Sequence, residues 1–204
     1  ALHLRRQRHR RERTRAARKL RQVDEAEGRA RQRIDRESRN QAAERAEAIG
    51  ALQLIRSKAT EWNIDKQRIG ASGGSAGACS SLWLAFHPDL ADPQNSDPVA
   101  RESTRLWCAA VTGAQTTLDP QQMKEWTPNS RYGGHAFGFM ADPAKRDSQF
   151  AEFLAGREKI LPWIAEYSPY ALVTSDDPPV YLYYSAPPAL GQEQKDPTHT
   201  SNFG

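Results

Sequence analysis

A chain of 204 residues is long enough for one domain with a sizeable core. It holds no run of 18 or more apolar residues, which excludes a membrane-spanning helix read from sequence. The net charge of +4 hides two unlike parts: residues 1–50 carry 15 Arg and one Lys against 8 acidic residues, a net +8, and the other 154 stand at −4.

The basic balance therefore belongs to the N-terminal segment and says nothing about the partners of the remainder. That segment begins ALHLRRQRHRR, basic but without the apolar stretch of a signal peptide, so the compartment stays open. Cys79 and Cys108 are the only cysteines, too few for a disulfide framework; a reduced state is allowed.

Residues 1–47 read as a separate region. They lack Phe, Trp and Tyr, and Leu2, Leu4, Leu20, Val23 and Ile34 are their only large aliphatics. Abundant Ala, Arg, Glu and Gln favour helix by propensity. So little apolar surface cannot offset chain entropy, so a solvated helix or a disordered arm with few contacts to the rest is expected. Three readings fit: an extension with no specific role, an arm for nucleic acid or another acidic surface, or sequence from a misread frame. Interleaved acids and missing aromatics count against nucleic acid.

The composition changes near Ile49. Ala48, Ala51, Leu52, Ile55, Ala59 and Trp62 share one helical face, which predicts an amphipathic helix. Arg68–Ser72 is short and apolar enough for a buried strand, Ala76–Phe86 reads as a helix, and His87-Pro88 stops it. Leu106–Thr112 is a second buried strand. Residues 113–165 form a cap-like excursion, irregular to about residue 146. A helix follows with Phe150, Phe153, Leu154, Ile160, Leu161 and Ile164 on one face. Val180–Tyr184 is a third strand. Strands alternating with helices over 48–204 point to a parallel α/β sheet.

Chemistry enters at Gly73-Gly74-Ser75-Ala76-Gly77, a G-x-S-x-G pattern. The pattern alone is weak. A strand before it and a small-residue helix after it supply the context of a sharp turn that exposes a nucleophilic serine. Glycines at its two ends let neighbouring backbone pass close. The Ala76 amide, at a helix N-terminus, could donate to an oxyanion. The competing reading is a phosphate-binding turn, although no Lys or second phosphate signature accompanies it.

RIGASGGSAGACSSLWLAFHPDLADP resembles the nucleophile region of bacterial α/β-hydrolases related to hormone-sensitive lipase and the acetyl-xylan and feruloyl esterases, with Ala78 where the family has Gly. EYSPYALVTSDDPPVYLYYS is similar to the same family's segment leading to the acid, with Tyr184-Ser185 in place of its His-Gly. The resemblance spans residues 48–204. It implies ester hydrolysis through an acyl-enzyme, a small-molecule ester substrate and no metal or organic cofactor. Ser75 would be the nucleophile and Asp196, after the third strand, the acid. Asp176 and Asp177 would turn or cap the chain.

The catalytic His is not identified by this reading. In the family it follows the acid by some tens of residues. His199 stands too close to Asp196 in sequence and is expected in a solvated loop; His135 falls in the excursion, and His87 is a helix terminator. The family's oxyanion loop and first strands are not readable in residues 1–47 either. The expectation is a partial α/β-hydrolase sheet of about three strands with flanking helices, incomplete at both ends and of little activity. A non-catalytic α/β binding module and a nucleic-acid-associated protein acting through the basic arm remain as alternatives.

Overall fold

The structure is a computed structural model and describes residues 2–140 and 142–204. Three short strands, β1 (Ala71–Gly74), β2 (Ala109–Thr112) and β3 (Val180–Tyr183), form a parallel sheet in the order β1-β2-β3. The register pairs Ala71 with Ala109 and Ala109 with Val180. Parallel strands need crossovers, and helices supply them. Between β1 and β2 lies α2 (Ala76–Phe86). The connection from β2 to β3 holds α3 (Pro120–Trp126), α4 (Arg146–Ala155), α5 (Arg157–Tyr167) and α6 (Pro169–Leu172). This is the three-stranded parallel sheet with flanking helices expected from the sequence, with the strand–turn–helix unit at β1 and α2.

Period-two burial sets the two faces of the sheet apart. Ala109 and Val111 of β2 are buried with Ala78, Leu82, Ala85 and Phe86 of α2. On the other face Ser72, Gly74, Ala110, Thr112, Tyr181 and Tyr183 are exposed. A second apolar cluster, built on Phe137, Phe150, Phe153, Ile160 and Ile164, fills the excursion. The single helix expected around residues 150–164 is two, because the chain breaks at Gly156. That residue lies against the Phe139 ring, where a Cβ would sit 2.9 Å from it.

The largest departure is at the N-terminus. One helix, α1 (Leu2–Ser57), runs through the expected boundary at residue 47. Ile34, Ser38 and Arg45 are buried against the body, contrary to the expectation of few contacts. Ile34 joins the excursion cluster, and the Ser38 carbonyl accepts from the Tyr167 hydroxyl at 3.4 Å. Arg45 donates to Ser80 Oγ at 2.7 Å and lies over the Trp83 ring at 5.2 Å. An Arg stem and a cation–π face supply burial that a count of aliphatics misses. The helix also stops at Ser57, before Trp62, which is exposed. No helix among the described residues is long and apolar enough to cross a membrane.

Candidate active site

Ser75 sits at the carboxyl end of β1, on the turn into α2. Its backbone N–H donates to the Thr112 carbonyl at 3.1 Å, extending the β1–β2 ladder by one residue. Its carbonyl accepts from Cys79 N at 3.1 Å, opening the helix. Serving both elements forces φ to 52° and ψ to −117°, a conformation that costs a non-glycine residue of order 1–3 kcal/mol. The tightness of the turn explains Gly73: a Cβ there would lie 2.5 Å from the Gly77 carbonyl carbon. The expected need for glycine at both ends holds only for Gly73, since a Cβ on Gly77 would meet nothing within 4 Å. The first amides of α2, beginning with Ala76, have no intrahelical partner and point out of the helix N-terminus beside Ser75.

His199 is not a free loop side chain. Its Nε2 lies 3.0 Å from Ser75 Oγ, and its Nδ1 lies 2.9 Å from Asp196 Oδ2. The objection that three residues cannot separate acid and base is answered by the loop's own geometry. Asp196 Oδ1 accepts from the backbone amides of Thr198 (3.1 Å) and His199 (3.2 Å). This Asx-type turn folds the chain back until the ring of His199 meets the carboxylate that caps it. Space for the ring is left at the end of β2, where Gly113 has φ +56° and a Cβ would lie 3.2 Å from His199 Cβ.

Since Asp196 accepts at Nδ1, that nitrogen carries the proton and Nε2 is free to accept from the Ser75 hydroxyl. Partial burial would raise the Asp196 pKa, but the hydrogen bonds from His199 and Thr198 outweigh it and hold the carboxyl below its ordinary value. The side chains of His199 and Asp196 are 41% and 61% exposed, so water screens this pair. A shallow cavity of about 260 Å³ opens beside His199, lined by Thr112, Gly113, Tyr183, Tyr184 and Ser185.

The remaining candidates lie elsewhere. His135 packs against the Tyr132 ring at 4.9 Å, on a short 3-10 turn at Gly134–Phe137. His87 follows α2, its ring tilted against Trp83 with centroids 4.5 Å apart. Asp176 and Asp177 turn the chain before β3, bonding Thr174 and facing Arg105. Among the described residues no group of three or more His, Cys, Asp and Glu side chains could hold a metal ion.

Neither a protein-family model nor a curated protein matches this chain. Solved structures do. An acetyl ester-xyloside bifunctional hydrolase from Caldicellulosiruptor lactoaceticus aligns at TM-score 0.43 and 24% identity, over 66% of this chain and 40% of its own. An esterase from Thermogutta terrifontis, solved with butyrate bound, aligns at 0.43 and 24%, over 69% and 42%. A truncated carbohydrate esterase from gut microbiota aligns at 0.41 and 17%, over 66% and 46%. The chain spans less than half the length of each.

Proposed function

We propose that Ser75, His199 and Asp196 form a nucleophile–base–orienter unit for hydrolysis of a small carboxylic ester through an acyl-enzyme. The observation that carries this is the pair of contacts at His199, to Ser75 Oγ at 3.0 Å and to Asp196 at 2.9 Å. Ser75 Oγ adds to the ester carbonyl while Nε2 takes its proton. The Ala76 amide donates to the oxyanion, where a preorganised dipole acts without reorganising. Collapse expels the alcohol, which receives the proton back from His199. Water then adds to the acyl-enzyme by the same route and releases the acid. The small cavity beside His199 suits a short acyl or alcohol group.

The test is turnover of a short-chain activated ester, together with mass-spectrometric detection of a phosphonate on Ser75. S75A and H199A are expected to lower kcat at least ~10³-fold. D196N should cost less than the ~10⁴ typical of a buried triad aspartate, because Asp196 is solvated. Turnover that survives S75A, or a phosphonate that lands elsewhere, would overturn the reading and favour a binding module.

A further inference from the structure

Gln115 lies beyond the end of β2 and is wholly buried, yet it is not part of either apolar cluster. Its Nε2 donates to two carbonyls, Gly113 O at 3.1 Å and Thr198 O at 2.7 Å. Both partners are acceptors, so the amide group can face them only with its NH₂, and its orientation is fixed by chemistry. Among the described residues its Oε1 is left buried without a donor. A buried unsatisfied oxygen costs stability, and an apolar side chain of the same size would avoid that cost.

The two carbonyls belong to the residues that adjoin His199, Thr198 along the chain and Gly113 in space. Thr198 O belongs to the peptide unit whose N–H, that of His199, donates to Asp196 Oδ1. Gln115 grips one side of this peptide plane and Asp196 the other, and the next atom along the chain is His199 Cα. Gly113, the other partner, forms the wall against His199 Cβ, while its own N–H is held by Tyr183 O at 2.9 Å. One side-chain amide therefore spans the gap between the base-bearing loop and the strand end whose Thr112 carbonyl holds Ser75 N.

Resting on the serine-hydrolase reading above, we propose that Gln115 is a positioning residue that sets the distance between His199 and Ser75. It never touches the reacting atoms. The rest of the loop has independent moorings: Thr116 Oγ1 donates to Phe203 O at 2.5 Å, and Asn202 Nδ2 donates to Trp126 O at 2.7 Å. Loss of Gln115 should thus loosen the base without releasing the loop. Misplacement of a catalytic group by about 1 Å costs on the order of 100-fold in rate.

The experiment is a double-mutant cycle in ester turnover. Q115M keeps the volume and removes both donors; it should lower kcat ~10- to 100-fold with KM nearly unchanged. Added to H199A, it should slow the enzyme no further, because Gln115 acts only through His199. A merely structural role would lower the rate in both backgrounds by the same factor, and that additivity would overturn the proposal. So would a wild-type kcat for Q115M. Should Q115M not fold, Q115N, which keeps the amide but shortens its reach, carries the same comparison. H199A with full turnover would instead remove the reading of the site itself, and this proposal with it.

Discussion

Ser75 joins two elements whose hydrogen bonds demand incompatible backbones, and the strain falls on the residue itself. The S75G variant, inert by design, should therefore be more stable than the wild type by about 1 kcal/mol, because glycine tolerates φ near +50°. Urea denaturation measures this; a less stable S75G would show that the turn is not strained. Gly73 and Gly77 make a matched pair. G73A puts a methyl into the Gly77 backbone and should lose about 1–3 kcal/mol, as overpacking does. G77A meets open space within a helix and should be neutral or gain slightly. The G-x-S-x-G spacing and its flanks made the position of Ser75, on a strand-to-helix turn, legible from the sequence. His199 was not, because reasoning from a family's chain order measures separation along the chain, whereas an Asx turn sets separation in space. The Asp-Pro-Thr-His run, a turn former followed by a titratable ring, was the signal available.

Among the elements, α3 and α5 are tied together by one ion pair. Asp119 caps α3 by accepting from Gln121 N at 2.8 Å and also receives both Nε (2.8 Å) and Nη2 (2.7 Å) of Arg157. Burial would raise the Asp119 pKa, but the bonds from Arg157 and the capped amides prevail and lower it. A lowered folded pKa means that this stability is fully present above the unfolded value near 3.9. It is lost as pH falls through that value toward the folded one. D119N keeps a capping oxygen but strands the guanidinium, and should destabilise at pH 7 by about 1–3 kcal/mol. The gap to wild type should narrow below about pH 4. A gap that stays constant with pH would show that the charge contributes nothing. Strand and helix existence was legible from apolar runs and period. The break at Gly156 was not, because only the Phe139 ring lying against it, distant in sequence, distinguishes that glycine from one tolerated within a helix.

At the scale of the whole molecule, the basic N-terminal segment is part of the structure. Deleting residues 1–47 removes the buried Ile34, Ser38 and Arg45 and should cost more than about 2 kcal/mol, a loss typical of real core contacts. R45A alone should cost a measurable share, since it strips Ser80, Trp83 and Tyr167 of one partner. An unchanged unfolding midpoint after the deletion would mean that α1 merely rests on the body. Composition misjudged this segment because it counts apolar residues, and residues 1–47 dock through Ser38 and Arg45 as well as Ile34.

That docking has an optical consequence. Of the five tryptophans, Trp62, Trp107 and Trp163 face solvent and Trp126 is half-buried, whereas Trp83 is 2% exposed beneath Arg45. The short-wavelength edge of the intrinsic emission is therefore assigned to Trp83. Detachment of α1 would wet that indole and shift its light to the red while the sheet stays folded. Peeling of the first helix could then be followed by colour alone, without any label.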